Sequence, residues 1–160
     1  MKHSLTVGFS FGLTSGIITT LGLMTGLYAE THSRTVVIGG ILTIAIADAF
    51  SDALGIHISE ESEQVHTGKE IWLSTFSVFL TKFFTAMSFL PPVIFLSPAA
   101  AVWISITWGL LLLSIVSYRI AQKEKGNPWS AVAEHLGIAV IVILFTQWAG
   151  SGIREYFGTP

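Results

Sequence analysis

The chain contains no cysteine, which excludes disulfides, thiolate metal sites and cysteine nucleophiles and leaves the redox compartment open. Charge is scarce as well: 11% of its 160 residues are Asp, Glu, Lys or Arg, against 51% hydrophobic. An ordinary soluble domain carries about 25% charged residues, so a soluble catalytic module is not expected. The net charge of -2 gives nucleic acid nothing to bind. No pairing of a nucleophile with a base can be assembled either, since Ser51 and His57 do not share a helical face, and the chain is not read as an enzyme.

What the chain does have is long apolar runs, which raise its mean hydropathy to +0.69. A run of about 20 apolar residues crosses a hydrocarbon core about 30 Å thick. Five such runs, over residues 5–28, 35–58, 71–90, 99–118 and 130–149, take up nearly the whole sequence. The expectation is an all-α integral membrane protein, a single transmembrane domain over residues 1–160 built as a bundle of five helices. Pro91, Pro92 and Pro98 bound an uncharged link, so the third and fourth runs are expected to form a tight hairpin. Lys2, Lys69, Arg119, Lys123 and Lys125 fall on the N-terminal side of the membrane, against Arg34 and Arg154 on the other. This asymmetry predicts a cytoplasmic N-terminus. A cleaved signal peptide is the rival reading of the first run, but that run is long and Leu27 and Ala29 make a poor cleavage site. Trp72, Trp103, Trp129 and Trp148 sit near run ends and read as interfacial anchors.

At 100° per residue, Gly8, Gly12, Ser15, Thr19, Gly22 and Gly26 share one narrow face of the first helix. Small residues let another backbone approach closely, so this face is expected to pack on a partner copy or on the second helix. The hydroxyls of Thr14, Ser15, Thr19 and Thr20 also offer a polar lining, although such side chains often bond their own helix.

The second run holds two carboxylates. Asp48 and Asp52 lie roughly 15 Å and 9 Å from its charged end, one turn apart on one face that Gly55, Ser59 and Glu63 continue. An unpaired carboxylate in hydrocarbon costs several kcal/mol, so such residues mark an ion path, a proton relay or an internal ion pair. Paired oxygen ligands suit hard divalent cations. Glu60, Glu63 and His66, in the acidic stretch 59–70, add candidate metal ligands at the mouth, with a plain solvated loop as the other reading. Glu63, His66 and Glu70 align if the helix continues through them. Glu134 and His135 are further candidates for the interior. Lys82 stands at about the depth of Asp48 on the following helix, and a contact between the two is expected. That contact is either a permanent salt bridge or a switch that an arriving cation opens. The path residues are thus Ser15, Thr19, Asp48, Asp52, Ser59 and Lys82.

Two stretches carry a family resemblance. Thr14-Ser15-Gly16-Ile17-Ile18-Thr19-Thr20-Leu21-Gly22-Leu23 resembles the Asn-Asp-Gly-Leu-Val-Thr-Thr-Leu-Gly-Leu signature of vacuolar iron transporters. Ala47-Asp48-Ala49-Phe50-Ser51-Asp52-Ala53-Leu54-Gly55-Ile56-His57-Ile58-Ser59 is similar to that family's Ala-Gly-Ala-Leu-Ser-Met-Ala-Ala-Gly-Glu-Tyr-Val-Ser, and Phe89-Leu90-Pro91-Pro92 to its proline-bearing third helix. The chain resembles a divergent, minimal member without the cytoplasmic metal-binding insertion. Ser15 stands where the family has Asp, Asp52 where it has Met, Ile56 where it has Glu, and Asp48 where it has a small residue. The resemblance implies a homodimer that exports ferrous iron or manganese from the cytosol in exchange for protons, with the divalent cation as cargo and no tightly bound cofactor. The expected location is the plasma membrane of a prokaryote. A proton-coupled carrier of a small organic cation and a non-transporting assembly or scaffold protein remain as alternatives.

Overall fold

A computed structural model describes residues 2–158, with side chains described from Leu5 onward. Lys2, counted above for orientation, lies outside the described side chains. The described residues form six helices: α1 (Lys2–Thr31), α2 (Arg34–Glu63), α3 (Gly68–Met87), α4 (Leu90–Phe95), α5 (Pro98–Lys123) and α6 (Pro128–Phe157). Five spans are long and apolar enough to cross a membrane, with α3 and α4 making one of them. The chain is a multi-pass integral membrane protein.

The helices outrun the apolar segments at most ends, because backbone hydrogen bonding continues past the hydrocarbon into the headgroups. Local chemistry sets the stops. Ser33 caps α2 by accepting from the Val36 N–H, and Asn127 caps α6 by accepting from Trp129 and Ser130, ahead of a proline that fits the first turn. Gln64 takes a left-handed conformation, φ 55°, which ends α2 and turns the chain into α3. The Glu70 carboxylate then accepts from the Thr67 N–H and Oγ at the start of α3. The expected continuous alignment of Glu63, His66 and Glu70 therefore does not form: the helix breaks between the first and the last of them.

Pro91 and Pro92 do not make a loop. They sit at the start of α4, where a missing N–H breaks no helical bond. The expected tight hairpin of the third and fourth spans is also corrected. α5 packs on α1, α4 and α6 and not along α3. A groove containing Leu80, Phe84, Trp108 and Leu112 separates α3 from α5. The prolines and α4 carry the chain sideways before α5 descends.

α1 is the centre of the bundle, packed on α2, α3, α5 and α6. Its Ile17, Leu21 and Met24 meet Val37 and Ile41 of α2, Phe89, Leu113 of α5 and Ile143 of α6 in one apolar core. Its glycine face is used twice, and not as expected. A methyl on Gly8 or Gly12 would come within 2.7 Å and 2.8 Å of the Ser74 and Val78 carbonyl oxygens of α3. A methyl on Gly22 or Gly26 would meet Val142 and Thr146 of α6 instead, at 2.8 Å and 3.2 Å. Within the described chain the glycines of this face thus rest on α3 in its first half and on α6 in its second, not on the second helix, to which only Ser15 of the face hydrogen-bonds. The two neighbours cross α1 at different heights, so a single stripe of small residues serves two close approaches.

Replacing Gly12 by Leu should force α1 off α3 and cost about 1–3 kcal/mol or more, because the obstacle is backbone. Gly39→Leu, at a position with nothing within 4 Å, should be tolerated. Thermal melts of the two variants in detergent check this, and equal melting temperatures would refute the close packing.

Candidate ion site at the α1, α2 and α3 contact

The inner face of α2 is a run of small residues, Ala45, Ala49 and Ala53, that brings its backbone close to the neighbouring helices. Asp48 and Asp52 flank this run. Asp48 lies at the middle of the thirty residues of α2, roughly 22 Å from either end. α3 lies antiparallel to α2 and brings Lys82 to the same level.

Lys82 is the largest fully buried side chain, 1% exposed. Its Nζ lies 2.6 Å from Asp48 Oδ2 and also pairs with Asp52 Oδ2. It donates a further hydrogen bond to Ser15 Oγ at 2.9 Å, and Ser15 donates to Asp52 Oδ2 at 2.7 Å. One ammonium, two carboxylates and one hydroxyl therefore close a cluster contributed by α1, α2 and α3. The expected Lys82 to Asp48 contact is present, and Asp52 shares it. Gly16 makes room for the arrangement, since a methyl there would press on Lys82 Cγ at 3.3 Å and on Thr85.

Geometry separates the two carboxylates. Asp52 is tied to two donors, while Asp48 Oδ2 is buried, lies beside the ammonium and has no aligned hydrogen bond. The formal charge of the cluster is -1 with Lys82 protonated. Neither acid is sealed in: the Asp48 and Asp52 side chains are 30% and 21% exposed. Asp48 borders an open lateral groove of about 680 Å³ between α1, α2 and α6, lined also by Thr19, Ala47, Val142 and Thr146.

The other expected residues fall elsewhere. Thr19 donates to the Ser15 carbonyl of its own helix but does line the groove beside Asp48. Ser59 is exposed. Glu60 is buried at the far end of α2, accepting from Ser74 Oγ of α3. Glu63 and His66 pair with each other at 3.5 Å in the loop. The five residues expected to hold metal are thus split between mid-membrane, the α2–α3 seam and the loop. Among the described residues no group of three or more His, Asp or Glu side chains is placed to hold one metal ion. His57 bonds Thr75, His135 bonds Ser117, and Glu134 is exposed, so none of them reaches the cluster. Gly16 is the site residue that helical spacing missed, lying 80° from the centre of the glycine face.

Removing Lys82 should leave two half-buried carboxylates facing each other without a counterion, a loss of up to about 3 kcal/mol given their partial exposure. Lys82→Met should therefore fold poorly, and adding Asp48→Asn and Asp52→Asn should recover much of the loss. Folded yield and thermal melts of the single and triple variants measure this. A Lys82→Met protein as stable as the parent would show that the cluster carries no net electrostatic tie.

Residues 9–71 match the model of the VIT family. None of the curated proteins matches the chain. The matched stretch contains Ser15, Thr19, Asp48 and Asp52, whereas Lys82 follows it. Over α1, α2 and the turn into α3, the chain is thus similar to the VIT family.

Proposed function

We propose that the protein carries divalent metal ions across the membrane through the Asp48, Asp52 and Lys82 cluster, in exchange for protons. The observation that carries this reading is a pair of carboxylates held at mid-bilayer by one lysine, beside an open groove. Charge at that depth is expensive and is typically kept for ion or proton movement. The family match supports metal as the cargo, and the all-oxygen donor set favours a hard or borderline dication such as Mn²⁺ or Fe²⁺.

Charge balance gives the coupling. Two carboxylates and a dication sum to zero only if Lys82 is neutral, so a dication that takes both acids displaces the ammonium and releases one proton. The reverse proton uptake restores the ion pair and ejects the metal. This cycle exports metal from the cytosol against entering protons if the N-terminal end is cytoplasmic. Homodimer formation fits the same geometry. Asp48 and Asp52 are partly exposed on the flank of a bundle that lipid surrounds, and a second copy over that flank would shield them. The groove also favours a second reading, in which a small organic cation pairs with Asp48.

Proteoliposomes loaded with a metal-sensitive dye and given a pH gradient in either direction test the proposal. Mn²⁺ or Fe²⁺ flux should follow the gradient, and Asp48→Asn or Asp52→Asn should lower it to the protein-free rate while the protein remains expressed. Full flux in both variants would remove these acids from the path. Flux of an organic ammonium ion without metal flux would favour the second reading.

A further inference from the structure

A large groove lies away from the ion site. It has a volume of about 1050 Å³ and runs between the N-terminal half of α1 and the C-terminal end of α5, with Ser77 of α3 also lining it. Its walls are mainly apolar, from Leu5 and Phe9 on α1 and Ile115 and Ile120 on α5. At its α5 end stand Arg119 and Lys123, one helical turn apart, followed by Glu124. Both cations are exposed, and among the described residues neither has an ion-pair or hydrogen-bond partner, although Glu124 is close in sequence. The level is marked by Tyr118, whose ring meets Trp129 edge-on at 5.5 Å. Aromatic pairs of this kind sit at the headgroup boundary. An apolar trough facing lipid, ending in two cations without an ion-pair partner at headgroup height, matches one class of ligand by shape and charge.

We propose that this groove binds an anionic glycerophospholipid, with an acyl chain along the apolar wall and the headgroup phosphate on Arg119 and Lys123. Zwitterionic lipid fills the trough equally well but brings its own cation to the same place. Among the described residues the charge lining the groove sums to +1, because Glu124 offsets one of the two cations. Each basic residue near a headgroup contributes a factor of about five in affinity for an anionic lipid. The expected preference for phosphatidylglycerol over phosphatidylcholine is therefore about fivefold. Glu124→Gln should raise it to about thirtyfold, and Arg119→Gln combined with Lys123→Gln should abolish or reverse it, since Glu124 then leaves the described lining at -1.

The experiment is titration of the delipidated, detergent-purified full chain with each lipid, read by the number of lipids retained in native mass spectrometry and by the melting temperature. Lys69→Gln removes a cation at the same end of the bundle but outside the groove, and should leave the preference intact. Melting in phosphatidylcholine alone shows whether each variant is folded. Equal retention of both lipids by the parent protein would overturn the proposal. So would loss of the preference in Lys69→Gln, or full displacement of phosphatidylglycerol by inorganic phosphate, since the site would then read charge without the trough. Lipid binding that splits a dimer would assign the groove to a second copy and overturn it too.

Discussion

An ammonium in the middle of a lipid-surrounded bundle has to be neutralised, and the placement of Lys82 governs much of the structure around it. Its partners come from α2 and its hydroxyl support from α1, so three helices must meet at one height. That meeting needs thin walls. Alanines on α2 and Gly12 and Gly16 on α1 let the backbones come close enough for a lysine stem and two carboxylates to occupy one level. Close packing and internal charge are therefore one requirement: bulkier helices would push the charges apart, and each would have to face hydrocarbon separately.

The same geometry gives the site its chemistry. The ammonium sits where a cation is wanted, tethered to the chain, and satisfies Asp52 better than Asp48. A resident counterion lets the acids remain at depth without cargo, and the cluster's residual charge of -1 leaves them able to attract more positive charge. On the proposed cycle Lys serves where Arg would not, because a lysine amine can surrender a proton whereas a guanidinium cannot. The departures from the family pattern fit together on this account. Ser15 stands where an acid is expected, and its hydroxyl bridges Asp52 and Lys82.

Much of this was legible from residues alone. Asp48 and Asp52 stand out because carboxylates are rare in apolar runs, and Lys82 could be matched to them by counting residues from the shared turn. The five spans follow from hydropathy. Other features were hidden for physical reasons. A stripe of glycines announces a close approach but carries no information about which helix approaches, so α3 and α6 could not be told from α2 or a second copy. Hydropathy measures the bilayer and not the helix, which is why most helices run past their apolar segments. Pro91 and Pro92 read as a break, although the first turn of a helix tolerates them. The loop ligands looked contiguous only on the assumption that α2 continued, and the left-handed Gln64 ends it. Gly16 escaped because its role is to leave space for a side chain 66 positions away in sequence.

The central claim is that Lys82 occupies a cation site and leaves it by giving up a proton. It is tested most directly by Mn²⁺ binding to the purified protein in weak buffer, with proton release counted in the same titration, for the parent chain and for Lys82→Arg. The account predicts one proton released per Mn²⁺ bound by the parent. It predicts a folded Lys82→Arg protein that binds no Mn²⁺ at the site, because its guanidinium keeps both carboxylates occupied. Equal Mn²⁺ affinity in the two proteins, or binding by the parent without proton release, would contradict it.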